Sequence, residues 1–192
     1  MTDHAYRERK APTARGNVLR ALRKPWPRLL RHGAIVGVGL IGLAATAAFP
    51  PRPWLIWNSS ASAPIGLYVL EPGSHPQIGD MVLARVPERW RHLGAQRRYI
   101  PINVPLVKQV AAQPGENVCA IGREIFVNGR RVAERKALDA MGRPMPWWNG
   151  CAMLRGGAMF LLMDNPSSFD GRYFGPTRRE DIIGRVRLLW RP

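Results

Sequence analysis

A serine-rich turn at residues 58–68 (NSSASAPIGLY) contains the side chains best suited to covalent chemistry. Pro64 and Gly66 fix an unusual backbone there, and an apolar run typical of a β-strand follows at once. One serine of this turn could therefore be held rigidly at the edge of a sheet, as a nucleophile must be. Serine and proline are also ordinary residues of exposed loops, so the turn alone leaves both interpretations open.

A serine nucleophile needs a base to remove its proton, and the sequence offers histidine or lysine. His75 and His92 follow residue 50, but no acid is placed to orient either of them. Lys108 lies in the apolar segment VPLVKQVAA, whose side chains would desolvate it and lower its pKa. The 29 basic residues include only four lysines, and arginine could not be the base because it keeps its proton in proteins. The alternative for Lys108 is an alternating strand that points its lysine to solvent.

The basic residues are unevenly distributed along the chain. Of a formal net charge of +16, residues 1–32 hold nine basic side chains against two acidic ones. The remainder has no basic helix, zinc-finger spacing or aromatic RNA-binding motif, so nucleic acid is not an expected partner.

Residues 33–49 form a run of 17 residues without a charge, closed by two prolines. As a helix rising about 1.5 Å per residue it would be about 25 Å long, near the lower limit for crossing a bilayer. Because basic residues stay on the cytoplasmic side, we predict a cytoplasmic tail at 1–32, a transmembrane anchor at 33–50 and a periplasmic domain at 51–192. A cleaved signal peptide is the alternative, since Ala45-Thr46-Ala47 resembles a cleavage site.

Short apolar segments separated by glycine and proline predict that the chain after residue 52 is mainly β. We expect strands at 67–70, 81–86, 106–112, 124–127, 159–163 and 182–190. Asn128-Gly129 is typical of a two-residue hairpin. The segments around 87–104 and 133–156 are expected to be irregular, and an irregular insertion is placed at about 117–157.

Cys119 and Cys151 both follow the predicted anchor and would lie in an oxidising compartment. A disulfide between them would close a loop of about thirty residues and stabilise the fold by about 3 kcal/mol. The alternative is two free buried thiols. No metal site is expected, because there is no CxxC motif and the four histidines show no ligand spacing.

Five short motifs follow the predicted anchor in a fixed order. They are Ser60-x-Ser62-x-Pro64, Gly79-Asp80-Met81-Val82, Leu106-Val107-Lys108-Gln109-Val110 with Pro114-Gly115-Glu116, Asp164-Asn165, and Ser168-Phe169-Asp170-Gly171-Arg172 with Gly175. In this order they resemble the type I signal peptidase superfamily. Within it they are most similar to the TraF-type conjugative-transfer peptidases, because Gly66-Leu67-Tyr68 follows Pro64. Ala63 departs from the pattern, since bacterial leader peptidases commonly have methionine there.

The resemblance implies a role for each matching residue. Ser62 would be the nucleophile and Lys108 the general base, as the residue types themselves favour. The hydroxyl of Ser60 and the backbone N–H of Ser62 would form the oxyanion hole. The residues that support and orient the lysine would be Ser168, the catalytic acid Asp170, and Arg172 as its ion-pair partner. Asp80, Asp164 and Asn165 are interpreted as turn or structural residues.

The resemblance also implies a fold and an activity. The fold would be a signal-peptidase-like antiparallel β-sheet domain behind one transmembrane helix, and the activity that of a serine endopeptidase with a Ser-Lys dyad and no cofactor. About a dozen residues separate the anchor from Ser62, so we expect a substrate that is itself tethered to the membrane. The implied substrate is a conjugative pilin precursor, cut at the periplasmic face of the bacterial inner membrane beside the conjugative transfer machinery. The alternatives are a general type I signal peptidase that removes secretory leader peptides, and a non-catalytic membrane-anchored assembly component.

Overall fold

A computed structural model describes residues 26–48 and 54–192 of the chain. The contacts divide the chain into two units, Met1–Arg52 and Pro53–Pro192. Most of the predicted basic tail, and the end of the predicted anchor at 49–50, lie outside the described residues.

The described part of the first unit is one helix, α1 (Trp26–Ala48). Its segment Leu30–Ala48 is long and apolar enough to cross a membrane, with a mean hydropathy of 1.4. The hydroxyl of Thr46 donates to the carbonyl oxygen of Leu43 at 2.8 Å, so this polar group is satisfied within the helix, as a lipid environment requires. The chain therefore carries one N-terminal apolar helix that is compatible with a single membrane anchor.

The second unit is built on two antiparallel sheets, which confirms the predicted fold class. The six-stranded sheet has the order β1 (Leu55–Asn58), β2 (Gly66–Glu71), β10 (Ile182–Trp190), β3 (Met81–Ala84), β4 (Leu106–Ala112) and β9 (Phe160–Leu162). The four-stranded sheet has the order β7 (Arg130–Glu134), β6 (Glu124–Val127), β5 (Asn117–Ile121) and β8 (Gly150–Met153). Three helical segments complete the unit: α2 (Glu88–Gln96), α3 (Gly171–Phe174) and a 3-10 turn at Arg179–Asp181.

All six predicted strands are present, with small changes at their ends. The strand expected at 81–86 ends at Ala84, and the one expected at 159–163 is reduced to Phe160–Leu162. The predicted hairpin joins β6 to β7, and its central residues Asn128 and Gly129 have φ values of 50° and 79°. Positive φ at both central residues is what a type I′ turn requires, so this prediction is confirmed.

The prediction of an irregular insertion at 117–157 is wrong, because four strands within it form the second sheet. β5 and β8 were missed since they are short and composed largely of small or polar residues with weak β propensity. The segment 87–104 is not wholly irregular either, since it contains the nine-residue helix α2. That helix buries only Gly94, which explains why no apolar period marks it.

The core of the six-stranded sheet surrounds β4, the strand that carries Lys108. Side chains alternate along a strand, so Lys108 shares a face with Leu106 and Val110. Both of these residues belong to buried apolar clusters. The lysine therefore points into the core of the domain and not to solvent.

Candidate active site

The turn between β1 and β2 is held in shape by the side chain of Asn58, the last residue of β1. The Asn58 Nδ2 donates to the carbonyl oxygens of Ser60 at 3.0 Å, Ala63 at 3.2 Å and Pro64 at 3.0 Å. Its Oδ1 accepts from the backbone N–H of Ser60 at 3.2 Å. Because these bonds fix the backbone on both sides of Ser62, the side chain of Ser62 has a defined position.

Gly66 ends this turn where no other residue would fit. Its φ is 152°, and a Cβ atom added there would collide with the carbonyl oxygen of Trp190 and the side chain of Leu188 in β10. A glycine is required at a position with such a backbone angle and so close an approach. The serine turn is therefore locked against the long strand β10.

The structure brings Ser62 and Lys108 together. The Nζ of Lys108 lies 3.2 Å from the Oγ of Ser62 and donates to the Oγ of Ser168 at 2.6 Å. Lys108 is 1% exposed. The alternative of a solvent-facing lysine is therefore excluded, and an amine is placed within hydrogen-bond reach of a serine hydroxyl.

The surroundings of Lys108 favour its neutral form. Burial lowers its pKa from 10.5 to about 8, because the charged form loses its hydration. The charge of Asp170 raises the pKa of Lys108 and that of Arg172 lowers it. With a pKa of about 8, about one molecule in ten carries a neutral amine at pH 7, compared with fewer than about one in a thousand for an ordinary lysine.

Asp170 and Arg172 form a buried ion pair behind the lysine. The carboxylate accepts from the guanidinium at 2.8 Å and 3.2 Å, and from the backbone N–H groups of Met163 at 3.1 Å and Arg172 at 3.2 Å. Burial raises the pKa of Asp170 above its ordinary value, and the charges of Arg172 and Lys108 oppose this rise without cancelling it. Since all these donors need an acceptor oxygen, the ionised carboxylate is the form whose hydrogen bonds are satisfied. Asp170 also begins α3 as its N-cap.

The two donors expected to form an oxyanion hole are bonded to each other. The backbone N–H of Ser62 donates to the Oγ of Ser60 at 3.3 Å, and the two serine hydroxyls are 2.9 Å apart. The Ser60 hydroxyl thus bridges two groups of Ser62 and lies directly beside the candidate nucleophile.

A pocket of about 510 Å³ opens beside Ser62 and Lys108. Its apolar lining includes Ile56, Ile100, Leu106, Val107, Leu138 and Met145. Two segments that form its walls are joined where the Tyr99 hydroxyl donates to Asp139 at 2.6 Å, and Arg143 donates to the same carboxylate at 2.7 Å. Burial raises the pKa of Asp139, but these hydrogen bonds outweigh it and hold the pKa below its ordinary range. The pocket is therefore a largely apolar cavity within the size range of ligand sites in proteins.

Asn165, read from the sequence as structural, reaches the serine turn. Its Nδ2 donates to the carbonyl oxygen of Ala61 at 3.2 Å, and its Oδ1 accepts from the backbone N–H of Ser167 at 2.9 Å. It therefore connects the loop of Ser168 to the turn of Ser62.

The remaining candidate residues lie away from the dyad. The Asp80 carboxylate accepts from the N–H of Gln77 at 2.9 Å and is a turn residue, as interpreted. Neither His75 nor His92 is among the pocket residues, so neither of these two histidines competes with Lys108 there. Within the part of the chain that the structure describes, no group of histidines, cysteines and acids could hold a metal ion.

Cys119 and Cys151 are joined by a disulfide in the second sheet. They face each other across β5 and β8, and neither lines the pocket. The bond therefore ties together the two strands that the sequence did not predict, and it has no part in the candidate active site.

Sequence reasoning assigned no role to several residues that shape the site. These are Asn58 in the serine turn, Tyr99, Asp139 and Arg143 in the pocket walls, and Lys136 with Ser167 at the pocket edge. Asn58 could have been found from its position at the start of a serine-rich turn, because asparagine often bonds to nearby backbone. The pairing of Tyr99 with Asp139 spans 40 residues and leaves no local signal.

Comparison with known proteins gives consistent matches. The model of the family described as "Signal peptidase, peptidase S26" matches residues 29–191. A "Plasmid transfer protein TraF" of Escherichia coli is 33% identical over 180 residues, which cover 85% of this chain and 97% of the relative. A "Conjugal transfer protein TraF" of Agrobacterium fabrum is 32% identical over 143 residues, or 69% of this chain and 80% of the relative.

Proteins named as signal peptidases also match. "Signal peptidase I V" of Bacillus subtilis is 32% identical over 97 residues, which are 45% of this chain and 58% of the relative. Among solved structures, the crystal structure of a signal peptidase I from Enterococcus faecalis covers 61% of this chain and 98% of its own, at 20% identity and a TM-score of 0.35.

Proposed function

This chain belongs to the S26 family of signal peptidases, and we propose that it is a membrane-anchored serine endopeptidase in which Ser62 is the nucleophile and Lys108 the general base. The observation that carries the proposal is the 3.2 Å approach of the Lys108 Nζ to the Ser62 Oγ. The burial of this lysine supports it, since a general base must be neutral before it can accept a proton.

In the proposed first step, the Oγ of Ser62 attacks the carbonyl carbon of the scissile peptide bond while the neutral amine of Lys108 takes the serine proton. The negative charge that develops on the carbonyl oxygen is stabilised by the N–H of Ser62 and the hydroxyl of Ser60. For this, the Ser60 hydroxyl exchanges its bond to the Ser62 Oγ, and the Ser62 N–H exchanges its bond to the Ser60 Oγ, for bonds to the substrate oxygen. The peptide C–N bond then breaks, and the ammonium of Lys108 gives its proton to the departing amine.

In the second step, water hydrolyses the ester formed on Ser62. Lys108, neutral again, takes a proton from this water and returns one to the serine oxygen when the ester bond breaks. Ser168 orients the amine throughout, since it accepts from the Nζ at 2.6 Å. The pairing of Asp170 with Arg172 restrains the acid, because an unpaired buried carboxylate would favour the protonated lysine.

We propose a membrane-tethered precursor, and specifically a conjugative pilin precursor, as the substrate. The support is twofold: one apolar helix suited to anchoring, and relatives named for plasmid or conjugal transfer that match over most of their length. With the basic N-terminal tail in the cytoplasm, the catalytic domain would act at the periplasmic face of the inner membrane. Removal of leader peptides from secreted proteins is the second candidate, favoured by the match to signal peptidase I V.

Co-expression in bacteria tests these proposals. The protein is expressed with a pilin precursor or with a secretory precursor, and the mass of each product is measured. We expect cleavage of the pilin precursor by the natural protein and by a Ser74→Ala control, and none by Ser62→Ala. Cleavage of the secretory precursor alone would favour the second candidate. Cleavage by Ser62→Ala, or failure of the natural protein to cut either precursor, would contradict the proposed enzyme and favour a non-catalytic assembly role.

A further inference from the structure

The pocket beside Ser62 contains a second lysine, which the proposed reaction does not use. Lys136 follows β7, and its Nζ donates to the Oγ of Ser167 at 2.9 Å. The next residue, Ser168, accepts from Lys108 at 2.6 Å. Two consecutive serines therefore hold the two lysines, which places the ammonium of Lys136 close to the reacting groups.

The charge of Lys136 is not balanced by an acid. Among residues 54–192, each ion pair is made by an arginine, and Lys136 takes part in none of them. Asp139 is the one acid that lines the pocket in the described part of the chain, and its carboxylate already accepts from Tyr99 and Arg143. An ammonium has three N–H donors, and Lys136 gives one of them to Ser167. Its other two donors and its full charge remain available in an exposed position.

A purely structural role explains this side chain poorly. The backbone N–H of Lys136 already donates to the hydroxyl of Tyr173 at 3.1 Å, which fixes the start of the loop. The side-chain bond to Ser167 is exposed and adds little to stability. The structure therefore supplies a positive charge at the pocket wall that the fold itself does not need.

We propose that Lys136 is a specificity-determining residue that binds a carboxylate of the peptide substrate near the scissile bond. The inference rests on the proposed function, because it assigns the recognition chemistry of the same pocket. Among the described residues no arginine lines this pocket, and Lys108 is buried, so Lys136 is the exposed cation there that an entering carboxylate would meet. A carboxylate can bond to both available N–H groups, and such charge-assisted bonds are stronger than neutral ones. The carboxylate is that of an acidic side chain or of a chain end.

The test uses the full-length protein in detergent and synthetic precursors with one transmembrane segment and a small-residue cleavage region. A glutamate is placed at each position from the third residue before the scissile bond to the fourth after it, and each peptide is matched by one with glutamine. At one position we expect kcat/KM to be about fivefold to tenfold higher for glutamate, mainly through a lower KM. Lys136→Met should bring this ratio close to one, Lys136→Arg should retain it, and Lys136→Glu should favour a lysine peptide instead. Arg130→Met removes an exposed charge that does not line the pocket and should leave the ratio as it is.

A second peptide series identifies the source of the carboxylate. These peptides end shortly after the scissile bond, with either a free carboxylate or an amide. If the glutamate peptides are preferred in the first series, the carboxylate is that of an acidic side chain. If the free-carboxylate peptides are preferred in the second series, it is that of a chain end. Either result supports the proposal. A ratio of one throughout both series, or a preference that Lys136→Met leaves intact, overturns it.

Binding measurements separate a failure of this inference from a failure of the proposed function. Affinities of the same peptides for Ser62→Ala and for Ser62→Ala with Lys136→Met are measured by fluorescence anisotropy, which needs no turnover. If the natural protein cleaves no precursor but its Ser62→Ala form prefers the acidic peptides through Lys136, the reaction is wrong and the recognition stands. If cleavage depends on Ser62 but no peptide is preferred through Lys136, the proposed reaction stands and the recognition by Lys136 is wrong.

Discussion

Replacing Lys108 by methionine should abolish cleavage and at the same time make the protein more stable near neutral pH. Methionine has a similar length and fills the same buried space without a charge. The ammonium of Lys108 faces apolar neighbours on its own strand and has only hydroxyl partners, those of Ser62 and Ser168. Burying this ammonium in the native state therefore costs free energy, and burying an uncharged methionine avoids that cost.

The size of the effect follows from the pKa. A fall from 10.5 to about 8 corresponds to about 3 kcal/mol of unfavourable free energy for the charged native state. Because the pKa is lower in the folded chain, the unfolded chain binds more protons between these two values, and the stability of the natural protein rises with pH across this window. The cost is fully present below pH 8 and disappears toward pH 10.5. Losing the hydrogen bond to Ser168 offsets about 1 kcal/mol, so we expect a net gain of about 2 kcal/mol at pH 7.

Urea unfolding of the full-length proteins, followed by tryptophan fluorescence at several pH values from 6 to 10, measures this difference. The free energy of unfolding of Lys108→Met should exceed that of the natural protein by less and less as the pH rises above 8, because the natural lysine then loses its charge. Lys136→Met is the matched control, because it removes an exposed lysine and should not reproduce this pH dependence. A Lys108→Met protein that is less stable at every pH, with a constant difference from the natural protein, would refute the idea that burial disfavours the charge.

Three further predictions concern the base, the serine turn and the disulfide. Cleavage by the natural protein should rise with pH along one ionisation near 8, and Lys108→Arg should be almost inactive at every pH; substantial turnover by the arginine protein would reject Lys108 as the base. In urea unfolding, Gly66→Ala should lower the free energy of unfolding by more than Gly79→Ala does, the difference being more than about 1 kcal/mol. Both glycines have positive φ, but only at Gly66 is there no space for a Cβ atom. Equal losses in the two variants would contradict this explanation. Cys119 and Cys151 should resist alkylation, read by mass spectrometry, until a reductant is added, and replacing both by serine should cost about 3 kcal/mol; free thiols in the folded protein would contradict the bond.

Features that depend on neighbouring residues could be predicted from the sequence. A short apolar run bounded by turn residues placed the strand at 106–112, and Asn128-Gly129 placed a hairpin, because both patterns are set within a few residues. Lys108 was singled out as a candidate base because an arginine-rich chain keeps a lysine there among apolar residues, while a strand with its lysine facing solvent was the alternative. These inferences needed no knowledge of distant contacts.

Features that depend on distant contacts could not be predicted in the same way. β8 gains its strand character by pairing with β5 across the segment between 121 and 150, and not from its own composition of glycine, cysteine, alanine and methionine. The bond between Tyr99 and Asp139 joins segments 40 residues apart, so the shape of the pocket cannot be read from either one. The position of Lys136 could not be predicted from the sequence either, since it depends on the hydrogen bond to Ser167 and on the lining of the pocket.

The buried ion pair explains how Lys108 could act as the proposed base although an acid lies beside it. Asp170 by itself would stabilise the ammonium of Lys108 and keep its pKa high. Arg172 engages both oxygens of that carboxylate, so the pair carries no net charge and its field at the lysine is weakened. The buried centre is then neutral overall when Lys108 is neutral and carries an unbalanced positive charge when it is protonated. Arg172 thus allows an acid to position the groups around the lysine without preventing the lysine from giving up its proton.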